Sequence, residues 1–218
     1  MPDTRAAYAS LATGSLEVTL DSLLAAVDGH DSYTHGHSLR VSQSSAAIAE
    51  AMAFEADAVE LVRDAALVHD IGKIGIPDAL LRKSGKLTQD EFELLSLHPV
   101  MGASILARTP TLKHLVPAVL HHHERWDGNG YPAKLAGAEI PIESRIVFAA
   151  DALDAMTTDR PYGTVFTFEG ALTELRRCAG QQFDPEVIEA FHDAIGVDLL
   201  RPVSRGPEAD KVVRSLAF

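Results

Sequence analysis

Histidine and aspartate recur in this chain at a nearly constant spacing, and that spacing limits the folds open to it. His37, His69-Asp70, His98, His122-His123 and Asp151 follow one another at intervals of 24 to 32 residues, each about one helix plus one connection. Apolar residues recur at helical spacing through residues 16–27, 39–54, 58–71, 92–106, 115–123, 146–156, 168–177 and 185–195, and strand-type alternation is scarce. An all-α bundle follows, in which successive antiparallel helices project one ligand, or one ligand pair, toward a shared point. In the last helix Pro185 suits the first turn and Asp184 the cap before it.

Burying five histidines and two aspartates without a counter-ion would be costly, whereas a metal centre needs such a set. The set is imidazole and carboxylate without thiolate, which favours Fe, Mn, Zn or Co over a structural zinc site. Adjacent ligands on a helix diverge by about 100°. His122 and His123 therefore suit different coordination directions, and the two oxygens of Asp70 suit a bridge between two ions. His30, His35, His114 and His192 fall outside this register and are expected to be structural or exposed; His121 is undecided between the two.

Two loops follow the histidine-bearing segments. In 72–78, two glycines and Pro77 stop the helix that carries His69 and Asp70. In 127–132, Gly128, Asn129 and Gly130 favour a tight turn before Tyr131-Pro132.

Composition narrows the function further. The formal charge of −12 argues against a nucleic-acid polymer as partner, because backbone phosphates need a basic face. An anionic substrate would need concentrated positive charge, which bound metal ions supply. The single cysteine, Cys178, excludes an internal disulfide framework and points to a reducing compartment, hence the cytoplasm. No apolar run approaches the roughly 18 residues of a membrane span, and the first ten residues lack a secretory pattern. Residues 1–15 and 197–218 read as appendages to a catalytic domain at 16–196, with a break at Arg205-Gly206-Pro207. No sensor or receiver module is expected within the 218 residues.

His69-Asp70 followed by Gly72-Lys73, and His122-His123 followed by Gly130-Tyr131-Pro132, resemble the HD-GYP subgroup of HD-domain phosphohydrolases. The segments HDIGKIGIPD, KLTQDEFELLSLHPVMGASIL, HHERWDGNGYP, DALDAMTTDRPY and GQQFDP carry the resemblance over about residues 30–192. His-Asp alone is a common dipeptide; the ordered series is specific. The resemblance implies an HD-domain helical bundle with additional C-terminal helices, around a dimetal centre, often containing iron, that hydrolyses cyclic di-GMP to linear pGpG or onward to GMP. It places His37, His69, Asp70 and Asp151 on one ion, with Asp70 bridging to a second held by His98, His122 and His123. Lys73 would contact the scissile phosphate, and Arg160 with Gly130, Tyr131 and Pro132 would line the substrate site. Two divalent ions, Fe or Mn, are the expected cofactors. A second copy of the chain or a diguanylate cyclase domain is the expected kind of protein partner.

Three positions depart from the family pattern. Some members have a glutamate four residues before the first histidine that helps hold a third metal; here Tyr33 stands there, and a phenol with a pKa near 10 is a poor substitute, so two metals are expected. Gly163 replaces a usual basic residue, which is expected to weaken or redirect substrate binding and leaves 3′,3′-cyclic GMP-AMP open as substrate. Lys134 replaces a common glycine and is expected to be a solvated lysine, the alternative being that its ammonium partly compensates for Gly163. Trp126 is expected to pack its loop against the bundle, and Tyr131 to face the site. Asp154 is expected to orient a ligand rather than to protonate the leaving oxygen. A receptor that binds the dinucleotide without turnover is the rival reading, and the chemically intact ligand set argues against it.

Overall fold

The computed structural model describes residues 20, 22–23, 34–158 and 166–195. The helices are α1 (Thr34–Ala51), α2 (Ala56–Val68), α3 (Asp78–Leu81), α4 (Gln89–Leu95), α5 (His98–Ala107), α6 (Val116–Leu120), α7 (Ile142–Thr157), α8 (Phe168–Arg177) and α9 (Pro185–Ile195). Short 3-10 turns occupy Ile71–Gly75, Pro110–Leu115 and Gly137–Glu139. No strand occurs among the described residues beyond one isolated bridge between Ala179 and Phe183. None of the described helices is long and apolar enough to cross a membrane. The expected boundaries at 15 and 197 lie outside the described residues.

Two apolar clusters hold the helices. The larger joins α1, α2, α7, α8 and α9 through Val41, Ile48, Val62, Val147, Leu153, Met156, Leu175, Phe183 and Phe191. The smaller joins the end of α2 to α5 and α6 through Val68, Ile71, Leu106, Leu112, Leu115 and Val119. Helix α7 contributes the longest buried run, Ile146 to Met156 without interruption, so the ionisable Asp151 and Asp154 lie on a helix buried on most sides.

Three local expectations are corrected. The segment 92–106 is two helices, because Pro99 in the first turn of α5 has no N–H to continue α4, and the Ser96 hydroxyl closes α4 by donating to Phe92 O at 2.7 Å. Helix α4 opens instead with a capping box: Glu91 N donates to Thr88 Oγ1, and Thr88 N donates to Glu91 Oε2 at 2.7 Å. His69-Asp70 and His122-His123 lie just past the ends of α2 and α6 rather than within them. Finally, residues 71–75 are not an open loop but a 3-10 turn. The Asp184 cap is as expected, with Glu186 N donating to Asp184 Oδ1 at 2.9 Å.

The 3-10 turn packs against α5 at its glycines. A Cβ at Gly72 would stand 1.9 Å from His98 O and 2.5 Å from Gly102 N, so only glycine lets the strip carrying Asp70 and Lys73 approach the helix carrying His98.

Candidate metal centre

Five segments deliver side chains to one buried place: His37 from α1, His69 and Asp70 from the end of α2, His98 from the start of α5, His122 and His123 from the end of α6, and Asp151 from α7. Donor atoms of His37, His69 and Asp70 lie within 4.8 Å of one another, and so do those of Asp70, His98, His122 and His123. Asp70 belongs to both groups and divides its oxygens between them. Oδ2 lies 3.4 Å from His69 Nε2 and 4.0 Å from His37 Nε2; Oδ1 lies 3.4 Å from His98 Nε2. Asp151 is outside both mutual groups, but its Oδ1 stands 3.4 Å from His37 Nε2.

The ring nitrogens show what the groups can do. His69 Nδ1 meets Ala66 O at 2.6 Å, His98 Nδ1 meets Leu95 O at 2.8 Å, and His122 Nδ1 meets Val119 O at 2.7 Å. A carbonyl only accepts, so each Nδ1 donates and each neutral ring presents a lone pair at Nε2. His98 Nε2 and His122 Nε2 then face each other at 3.3 Å, two lone pairs with no proton between them. His69 Nε2, Asp70 Oδ1 and His123 Nδ1 are buried without hydrogen-bond partners. Unsatisfied buried polar atoms are rare and costly, and cations at the convergence of these donors would satisfy them. The residues present fit a metal centre.

Electrostatics agrees with that fit. Burial pushes His98 down to about 4, with Lys73 adding to the depression against the opposing pull of Asp70. Burial likewise holds His122 and His123 well below the ordinary imidazole value. These three rings are therefore neutral at pH 7, the form that ligates metals. Burial alone would raise Asp70, but Lys73 and His69 beside it hold its carboxyl well below the carboxylate range. His69 goes the other way: burial would lower it, and Asp70 raises it.

Lys73, partly exposed, reaches back from the 3-10 turn to Asp70 Oδ2 at 2.5 Å. Tyr131 lies flat on His123, with ring centroids 4.9 Å apart and planes 28° apart, and edge-on to Phe92 at 5.9 Å. One face of Tyr131 is thus already covered. Burial, then Asp70 and Asp151, push its phenol above the ordinary value, so it stays protonated. Gly130 is buried against the strip before it, where a Cβ would stand 2.4 Å from Arg125 N and 2.6 Å from His123 O; Pro132 is exposed. Trp126 packs as expected, with the Arg145 guanidinium 5.7 Å over its ring.

The structure does not bring every candidate together. Arg160, Gly163, Tyr33 and His30 lie outside the described residues, as does the side chain of His35. His114 and His192 are exposed, and His121 stays apart, its Nδ1 3.6 Å from Glu124 Oε1. Glu124 was not singled out from the sequence. It is buried, and its Oε1 accepts from Ala133 N at 2.6 Å, tying down the strip after Pro132. Its position directly after His122-His123 is the signal that marks it. The backbone of Gln181 and Gln182 secures the same loop from the other side, accepting from Asp127 N at 2.8 Å and Trp126 N at 3.1 Å.

Known proteins resemble this chain in sequence and in fold. The sequence model of the HD domain family matches residues 22–187. A cyclic di-GMP phosphodiesterase of Thermotoga maritima is 46% identical over 163 residues, covering 74% of this chain and 44% of that protein. A 3′3′-cGAMP-specific phosphodiesterase of Vibrio cholerae is 35% identical over 192 residues, covering 88% of this chain and 42% of that protein. The chain spans under half the length of these two relatives. Among solved structures, an HDG"Y"P protein from Bdellovibrio bacteriovorus superposes with a TM-score of 0.62 at 21% identity, over 75% of this chain and 52% of that one; at such identity the likeness is one of fold. With the family match running from before α1 into α9, and with His69-Asp70 and Gly130-Tyr131-Pro132 both in place, the chain belongs to the HD domain family, in its HD-GYP branch.

Proposed function

We propose that this chain is a metal-dependent phosphodiesterase that opens cyclic di-GMP to linear pGpG, with GMP as a further product. The observation that carries the reading is Asp70, whose two oxygens face two separate sets of imidazoles. A carboxylate so placed suits a bridge between two cations. In this reading His37, His69, Asp70 and Asp151 would hold one divalent ion and Asp70, His98, His122 and His123 the other, with Fe or Mn the best match to the donor set. When bound, such a pair supplies a water acidic enough to attack phosphorus near neutral pH and an electrophilic clamp on a phosphate oxygen.

The chain's own residues do the rest. The backbone carbonyls of Ala66, Leu95 and Val119 hold three imidazoles with Nε2 forward, so no rotamer search accompanies binding. Lys73 places an ammonium beside Asp70, where it stabilises charge growing on the phosphoryl oxygens in a site of low dielectric. Tyr131, stacked on His123 and braced by Phe92, forms one wall of the substrate site with Gly130 and Pro132. The family resemblance adds Arg160, which lies outside the described residues, as a further residue that would line the substrate site.

The name borne by the Thermotoga maritima relative supports cyclic di-GMP as substrate. The name borne by the Vibrio cholerae relative, together with Gly163 in place of a basic residue, favours 3′,3′-cyclic GMP-AMP as the second reading. Protein purified without oxygen and loaded with Fe(II) or Mn(II) is incubated with each dinucleotide, and the products are separated by chromatography. Faster release of pGpG from cyclic di-GMP supports the proposal; faster turnover of the mixed dinucleotide replaces it with the second reading. Tight binding of cyclic di-GMP without hydrolysis by fully loaded protein overturns both in favour of a receptor.

A further inference from the structure

His37 is held differently from the other imidazoles of the centre. Where His69, His98 and His122 each lean on a backbone carbonyl three residues earlier, His37 Nδ1 meets a side chain, Asp154 Oδ2, at 2.7 Å. Asp154 is one turn beyond Asp151 on α7, and Asp151 Oδ1 faces the other nitrogen of the same ring, His37 Nε2, at 3.4 Å. Two carboxylates one helical turn apart therefore bracket one imidazole. Asp154 is in turn gripped from α1, one turn after His37: Arg40 Nε donates to Oδ1 at 2.5 Å and its second nitrogen donates to Oδ2 at 3.1 Å. Asp154 is 6% exposed, so its charge is not balanced by water.

We propose that Asp154, charge-balanced by Arg40, is the positioning residue that fixes His37 with its Nε2 lone pair toward Asp70 and Asp151, and that it governs occupancy of one ion site and not the other. The inference rests on the dimetal reading above. An ionised carboxylate can only accept a hydrogen bond, so Nδ1 of His37 carries the proton and the ligating nitrogen is Nε2. A carboxylate in this place also makes the ring a stronger donor than a carbonyl would. Of the other four rings, His69, His98 and His122 owe their tautomer to their own backbone, which a side-chain change does not remove, and His123 Nδ1 has no side-chain partner. The His37 ion site alone thus hangs on a replaceable group from a different helix.

Metal titration of the apo protein by calorimetry, with Mn(II) or Zn(II) and without substrate, tests this. The wild type is expected to take up two ions. Asp154→Asn is expected to weaken one binding step by about 10–100-fold, the range typical of lost outer-sphere partners, and to leave the other unchanged. Asp154→Glu restores part of the loss. Arg40→Gln, at a side chain nearly half exposed, is expected to fold as the wild type and to weaken the same step by a smaller factor. Nitrogen-15 shifts of the His37 ring in the apo protein supply a readout independent of metal: Nδ1–H dominates in the wild type and the tautomers mix in Asp154→Asn.

Equal weakening of both steps, or two unchanged steps with an unchanged His37 tautomer, overturns the inference while leaving the dimetal centre standing. A wild type that binds no metal overturns the centre and the inference with it. If Asp154→Asn fails to fold, Arg40→Gln decides the matter by the same two readouts.

Discussion

Lys73 Nζ lies 2.5 Å from Asp70 Oδ2, three residues along the 3-10 turn that follows α2. The ammonium of Lys73 is thus held by the carboxylate that both donor groups share. Lys73 offers no lone pair while it is charged, so under the proposed function it would act on substrate charge rather than in metal binding. Lys73→Ala is expected to lower kcat by about 10²–10³-fold, the loss typical of one preorganised charge-stabilising group. Metal stoichiometry, measured by elemental analysis after dialysis, is expected to stay at the wild-type value. A variant that loses metal in proportion to activity would instead make Lys73 part of the binding site.

Gly72 tests whether the close approach of the 3-10 turn to α5 is what brings Asp70 to His98. The missing Cβ would fall 1.9 Å from His98 O and 2.5 Å from Gly102 N, both backbone atoms that cannot rotate away. Gly72→Ala is expected to destabilise the fold by about 3 kcal/mol, the upper range for overpacking. At roughly 2–4 °C per kcal/mol for a chain of this size, thermal unfolding would shift down clearly, and metal uptake would weaken because His98 moves. An unchanged melting temperature would mean that the turn relaxes freely.

Much of this was legible before any coordinates. The seven candidate ligands and the all-helical architecture follow from spacing alone, because a period of one helix plus one connection leaves antiparallel helices few other ways to satisfy buried charge. Local backbone detail was less legible. The split between α4 and α5 turns on Pro99, whose missing N–H matters only if the preceding turn has begun to close at Ser96. The long-range partners were hidden for another reason. Asp154 reaches His37 across 117 residues, and Glu124 reaches Ala133 through a loop; neither pairing leaves a periodic trace. The sequence leads one to expect Tyr131 to face the site, but not that His123 takes one of its faces, a contact fixed by how the loop folds back.

Cys178 is expected to be chemically quiet. Its side chain is buried at the end of α8, and burial together with the nearby Glu174, 3.7 Å from Sγ, raises the thiol pKa. The thiolate, which is the reactive form, is therefore scarce at pH 8. The native protein is expected to react with a disulfide reagent more slowly than glutathione does, and at the free-thiol rate once unfolded in urea. Fast reaction of the native protein would place Cys178 in contact with solvent.

Among the described residues, two other than glycine hold positive φ, and they separate stability from function. Ala53, at φ 58°, follows α1; Phe54 N donates to Ala49 O and Ala53 N to Glu50 O, the pairing of a helix stop that normally uses glycine. Lys134, at φ 56°, sits exposed in the loop after Pro132. Each side chain costs about 1–2 kcal/mol in this backbone region, and glycine would give back about 0.4–1 kcal/mol through greater freedom of the unfolded chain. Ala53→Gly and Lys134→Gly are each expected to stabilise by about 0.5–1 kcal/mol, read as a rise in melting temperature. Their kinetics then divide two readings of Lys134. A merely solvated lysine leaves KM for cyclic di-GMP unchanged in Lys134→Gly, as in Ala53→Gly. A raised KM in Lys134→Gly alone would show that its ammonium meets the dinucleotide, and that the strained backbone at this position is kept for binding.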